Sequence, residues 1–278
     1  MKNDVKKIGW LLLLGQLLFQ GTVFMAAFAA ILLGLGDKAT IIGSCIGSFL
    51  ANVVVFGIFY LVRHKDFTKN PGAKVTPKII LGGFAVTIMW NLVISLIDTL
   101  TSNKLSIPSS GKQIPAGFGL IFIAVLPAVM EEFAFRKVIF GLTRKHGFWP
   151  AAVLSSVIFG LMHQNITQGI FAFGMGMIFC YVYEKTGRIW VTMLLHFANN
   201  AMSVLLPLLP DYSGYGPLIE AGLGLVSAVV IAVLIIRNMK KIPHVSVPKE
   251  WFINVPMMLY SIFCVGMAVC VLVIGANV

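Results

Sequence analysis

The chain has 278 residues, 58 % of them hydrophobic and only 11 % charged, where an ordinary soluble domain is about a quarter charged. That composition excludes a soluble globular domain, and the lack of short period-2 alternation argues against a membrane β-barrel. In a soluble protein the net charge of +11 would point to nucleic acid. In a chain this apolar it reads as the positive-inside bias and attraction to anionic lipid, so the expected partners are membrane lipids and no nucleic acid.

A basic start, Lys2 to Lys7, runs into an apolar stretch reaching Leu35. This stretch is longer than the 7–15 or so residues of a signal-peptide core, so an uncleaved first helix is expected. Further apolar runs follow, each long enough for a bilayer core of about 30 Å. The predicted spans are about 9–34, 40–62, 79–100, 116–141, 149–165, 168–185, 189–207, 217–236 and 254–276. Breakers separate them, among them Asn70-Pro71-Gly72, Pro108 to Gly111 and Pro210 to Pro217. With the N-terminus inside, eighteen of the 21 Lys and Arg residues fall on the inner side.

The expected fold is thus all-α, a polytopic transmembrane bundle of about eight to nine spans. A single integral-membrane domain over 1–278 is expected, in a multi-pass membrane protein whose N-terminus is cytoplasmic. The last hairpin is the least defined; without one of its spans the C-terminus would lie inside. Cys45, Cys180, Cys264 and Cys270 all lie in apolar spans and read as free, small hydrophobes rather than a disulfide framework. Gly43, Gly47, Gly174 and Gly176 read as points of close helix packing. Gln16, Gln20 and Asn91 read as polar glue between helices.

Charges within spans are costly, about 2.5–3.5 kcal/mol for an acid at mid-bilayer, and mark functional sites by default. The set here is Glu131, Glu132, Arg136, His163 and His196, on the fourth, fifth and seventh spans. Glu132 and Arg136 are four apart and can pair along one helix face. Glu131 points about 100° away and has no such partner. This assigns the chemistry to Glu131 and a supporting role to Glu132 and Arg136. Asn200 shares a face with His196, and Phe159 can pack beside His163. Counted from the inner ends at 1.5 Å per residue, Glu131 is roughly 20 Å deep, His163 roughly 22 Å and His196 roughly 12 Å, which permits convergence.

Two chemistries fit such a set. Glu131, His163 and His196 can be ligands of a metal, Zn being possible, with an open position for water. Alternatively, Glu131 and His163 activate water without metal while His196 and Asn200 donate to the oxyanion. Both are hydrolysis within the membrane. The sequence has no HExxH and no GxSxG, and it lacks a pair of intramembrane aspartates.

Glu131-Glu132-x-x-x-Arg136, Phe159-x-x-x-His163 and His196-x-x-x-Asn200, in that order, resemble the three-motif pattern of the CPBP family. This is the family of CAAX-processing and bacteriocin-processing intramembrane proteases, and the resemblance covers about 127–203, including the loop Glu184 to Trp190. It implies a helical-bundle membrane endopeptidase in a prokaryotic cell membrane, acting on membrane-associated or lipidated peptides or proteins. It assigns water activation to Glu131 and His163 and oxyanion stabilisation to His196 and Asn200. The alternative is a non-catalytic membrane scaffold or bacteriocin self-immunity protein with the same fold. A secondary transporter is disfavoured, because no internal repeat is visible.

Overall fold

The structure is a computed structural model that describes residues 2–34, 43, 46–47, 49–51, 53–63, 72, 74–100, 115–210, 214–215, 222, 226 and 251–275. Among these residues regular structure is entirely helical. The elements are α1 (Lys2–Leu32), α2 (Ile58–Arg63, entered through a wide π turn at Val53–Gly57) and α3 (Pro77–Leu100). They continue with α4 (Ala116–His146), α5 (Phe148–Met162), α6 (Ile166–Thr186), α7 (Ile189–Leu205) and α8 (Val255–Gly275). Among the described residues five helices are long and apolar enough to cross a membrane, and three shorter apolar helices accompany them. The fold is therefore an all-α membrane bundle. The expected span at 217–236 lies outside the described residues except at 222 and 226, and Cys45 lies outside them too.

The exterior explains the composition. Leu17, Phe24, Ile31, Leu61, Leu81, Ile121 and Ile262 are all exposed, as helices facing lipid require. The interior is a layered core. One cluster joins α1, α2, α4, α5 and α8 through Val5, Ile8, Phe56, Phe135, Ile158, Met257 and Tyr260. A second joins α3, α6 and α7 through Met175, Phe179, Val182, Val191 and Leu195. α4 thus lies between two groups of helices. Close approach depends on small residues at the expected glycines. A Cβ on Gly176 of α6 would stand 2.8 Å from Ser156 of α5, and one on Gly174 would collide with the Trp90 ring. That ring's Nε1 donates to the Phe171 carbonyl at 2.8 Å. Cys180, Cys264 and Cys270 are free thiols.

Local chemistry fixes the ends of the central helices. Gly187 ends α6 in the left-handed region (φ +62°), which glycine adopts without a Cβ penalty. Beside it the Thr186 hydroxyl donates to Val182 O and accepts from Arg188 N. Arg144, at the end of α4, pairs with Glu184 at the end of α6, Nε to Oε2 at 2.7 Å. α5 rises only about 22 Å over 15 residues, less than an apolar core of about 30 Å. A turn at its end must satisfy its polar groups within the protein. It does so through Asn165, whose side chain accepts from Gln168 N and caps α6. Gln164 takes a left-handed φ of +51° there, and its Oε1 accepts from Gln20 Nε2 of α1 at 3.1 Å.

Candidate functional site

α4 is not a uniform helix. Two stretches of wide π turns, Leu120–Val125 and Glu132–Phe140, flank an α-helical segment, Leu126–Glu131. Pro127 lies in that segment and has no N–H for the carbonyl of Ile123, four residues back. Asn200 of α7 takes up that carbonyl, with Nδ2 donating to Ile123 O at 3.0 Å. Wide turns of this kind recur at functional sites, because they shift the angular phase of the side chains that follow. Here they begin at Glu132.

Glu132 and Arg136 are fully buried and lie 3.2 Å apart, Oε1 to Nη1. The Arg136 guanidinium also stands over the ring of Phe159 at 4.5 Å and that of Phe179 at 5.2 Å. A buried cation is thus held between one carboxylate and two aromatic faces. The same Glu132 Oε1 lies 2.9 Å from His196 Nδ1. A carboxylate only accepts, so Nδ1 carries the proton and Nε2 is the nitrogen turned elsewhere. Nε2 lies 3.7 Å from Glu131 Oε2. His196 therefore touches both glutamates, one with each ring nitrogen. The two glutamates, expected to play unequal parts, meet it unequally, Glu132 at 2.9 Å and Glu131 at 3.7 Å. An imidazole is wide enough to meet two side chains about 100° apart when it comes from another helix.

His163 is also placed differently from expectation. The predicted span over 149–165 contains it, but α5 ends at Met162 and His163 occupies the turn beyond. The ring is held by the backbone: Nδ1 donates to Phe159 O at 2.8 Å, which leaves Nε2 as an acceptor. Phe159 packs edge-on to His163, with ring centres 4.9 Å apart, and lies 6.2 Å from the His196 ring. His163 and Glu131 both line a cavity of about 180 Å³, and its other walls include Gln16 and Phe19 of α1, Met162, and Tyr260 of α8. Glu131 is 18 % exposed and Glu132 not at all, so only the first has room for a small molecule.

Asn200 is held at both ends. Its Oδ1 accepts from Asn199 at 3.1 Å, and Asn199 Oδ1 accepts from Asn91 Nδ2 of α3 at 2.7 Å. Asn91, expected as interhelical glue, is that, and Gln20 likewise bridges two helices. Ser155 donates to Phe135 O in the widened part of α4. Four contributors carry no motif of their own: Phe179, Asn199, Gln16 and Tyr260. Only Gln16 had a sequence signal, as an amide in an apolar run.

The metal reading meets a different geometry. Among the described residues no three His, Cys, Asp or Glu side chains are grouped so as to hold a metal ion. His196 Nδ1 is engaged by Glu132 and His163 Nδ1 by a carbonyl, which leaves Nε2 of each ring as the nitrogen that could meet a ligand. Glu131, His163 and His196, the set expected if a metal is bound, are thus not drawn together as a ready-made ligand group among the described residues.

Comparison with known proteins gives the same segment. The Rce1-like family (type II CAAX prenyl endopeptidase Rce1-like) matches residues 114–202. The chain is 37 % identical over 92 residues to the putative membrane peptidase YdiL of Bacillus subtilis, covering 33 % of this chain and 38 % of that protein. It is 30 % identical over 155 residues to the membrane-embedded CAAX protease MroQ of Staphylococcus aureus, covering 51 % of this chain and 62 % of that protein. It thus spans from under two-fifths to about three-fifths of the length of these two relatives. The UPF0177 protein YbdI of Lactococcus lactis is 25 % identical over 127 residues, with 45 % and 68 % covered. No solved structure matches. Residues 114–202, which supply Glu131, Glu132, Arg136 and His196, are the segment that is similar to the Rce1-like type II CAAX prenyl endopeptidase family.

Proposed function

We propose that the chain is an intramembrane endopeptidase that hydrolyses peptide bonds of membrane-associated or lipidated peptides or proteins. One observation carries the reading. Glu131 opens onto a cavity that His163 shares, while its neighbour Glu132 is closed off by Arg136 and His196. The match to a CAAX endopeptidase family and the likeness to a membrane-embedded CAAX protease favour a peptide substrate delivered by the membrane.

In this reading Glu131 takes a proton from water while His163 orients the same water, and the hydroxide attacks the peptide carbonyl carbon. His196 and Asn200 stabilise the oxyanion, the former through Nε2 when it is protonated and the latter through the amide hydrogen that Ile123 does not use. Glu131 then returns the proton to the leaving nitrogen as the C–N bond breaks, giving a carboxylic acid and an amine, and the acid's proton passes to the amine to leave a carboxylate and an ammonium. Glu132, Arg136 and Phe159 hold His196 and His163 in place. The catalytic core is 127–203 within one membrane domain, with the N-terminus on the cytoplasmic side.

The test is cleavage of a membrane-peptide library by the purified chain in lipid nanodiscs, read by mass spectrometry. Wild type should release new peptide ends, with or without chelator. Glu131→Gln should lower the rate by roughly 10²–10⁴, the range for a positioned acid–base group. Equal product from both proteins would sink the assignment. Loss of cleavage on chelation, restored by Zn²⁺, would return the metal reading.

A further inference from the structure

α1 carries two glutamines four residues apart, Gln16 and Gln20, and therefore on one face. The structure gives them different surroundings. Gln20 donates to Gln164, next to His163, and so pins the turn that holds the histidine. Gln16 has no such partner. Its side chain is only 6 % exposed, its Nε2 makes no hydrogen bond, and it lines the cavity shared by Glu131 and His163. Tyr260 lines the same cavity, and its hydroxyl is buried with the weak Cys264 thiol as a polar neighbour. Buried amide donors are nearly always paired, so an orphan amide beside a cavity has bonding capacity that a molecule entering the cavity can take up when the amide turns. The cavity's volume of about 180 Å³ is well beyond the 10–15 Å³ or so that holds one water. The remaining wall is largely apolar, with Leu12, Phe19, Phe56 and Met162, which suits an apolar residue beside the bonded peptide group.

Resting on the endopeptidase reading, we infer that Gln16 is a specificity-determining substrate contact. Its Nε2 donates to a backbone carbonyl of the substrate near the scissile bond, and the Tyr260 hydroxyl assists. A peptide carbonyl is the acceptor that every peptide supplies, so this contact sets the register of the chain rather than the identity of a side chain. The apolar wall beside it selects the residue. Gln16 and Gln20 then divide one helix face between substrate and structure.

The experiment uses the full chain in nanodiscs and the library peptide it cleaves best. Gln16→Met keeps the length of the side chain and removes the donor. We expect KM to rise roughly fivefold to tenfold, the worth of one neutral hydrogen bond, with kcat within about twofold. Cleavage should also spread to neighbouring bonds. Tm should hold or rise, because an unpaired amide leaves an apolar wall. Gln20→Leu should lower Tm instead. Tyr260→Phe should raise KM by less than Gln16→Met. An unchanged KM and register in Gln16→Met, or a fall in Tm like that of Gln20→Leu, overturns the assignment alone. No hydrolysis by wild type overturns the endopeptidase reading and this contact with it.

Discussion

The two faces of α4 at Glu131 and Glu132 are adjacent in sequence and opposite in character. On one, Glu132 and Arg136 are sealed, and between them they engage two aromatic rings and a histidine. On the other, Glu131, His163, Gln16 and Tyr260 surround a cavity. The first region is a set of charges that neutralise one another. The second is a set of polar groups with capacity to spare. His196 joins them, one nitrogen to each. In the proposed mechanism, what separates the structural charge from the reactive one is not depth in the membrane but whether its bonding capacity is already filled.

Replacing the open carboxylate is the most severe way to break that contrast. Glu131→Gln should abolish most cleavage, by roughly 10²–10⁴, and leave Tm within a degree or two of wild type. Nearly as large, and opposite in kind, is Arg136→Met. It strands the buried Glu132 charge and should cost about 3–5 kcal/mol of stability by denaturant titration in detergent. Adding Glu132→Gln to that variant should recover much of the stability and little of the activity. Recovery of neither would mean that Arg136 serves the site through its aromatic contacts alone.

A smaller effect sharpens the link to the third region of polarity. Asn199→Leu removes the donor to Asn200 and the acceptor for Asn91, and should cost about 0.6–2 kcal/mol, as interhelical hydrogen bonds in membranes do. It should also lower kcat, because Asn200 is then held at one end only; an unaltered kcat would remove Asn200 from the proposed oxyanion site. The smallest change expected is Gln20→Leu, about 0.6–1.7 kcal/mol, seen as a lower Tm and an altered environment at His163.

Much of this was legible in the sequence because single-helix rules apply to it. The apolar runs and their breakers gave the helices, and the four-residue spacing gave the Glu132–Arg136 pair. The same rules misjudged what depends on a second helix. Glu131 has no partner on its own helix, and the imidazole that meets both glutamates enters from α7. The run 149–165 has no breaker at Met162, so the turn that holds His163 was invisible. That turn is made by a left-handed Gln164 and the Asn165 cap, neither of which is a strong signal in an apolar context. Gln16 and Gln20 looked alike in sequence; only the position of α5 and α8 against α1 tells them apart. Pro127 frees the Ile123 carbonyl within α4. The structure supplies the recipient of the opened carbonyl, Asn200.

The Glu132–Arg136 pair has a consequence for biogenesis. Because both charges sit one turn apart on the same helix, they can neutralise each other as soon as α4 forms, before any other span is in place. Two separate charges would each burden partition into the bilayer by about 2.5–3.5 kcal/mol, and a self-paired helix avoids most of that. Phe159, Phe179 and His196 arrive on α5, α6 and α7, all later in the chain, and each finds the pair already aligned. The most charged segment of the bundle can thus enter lipid early and serve as the template on which the rest of the site is laid down.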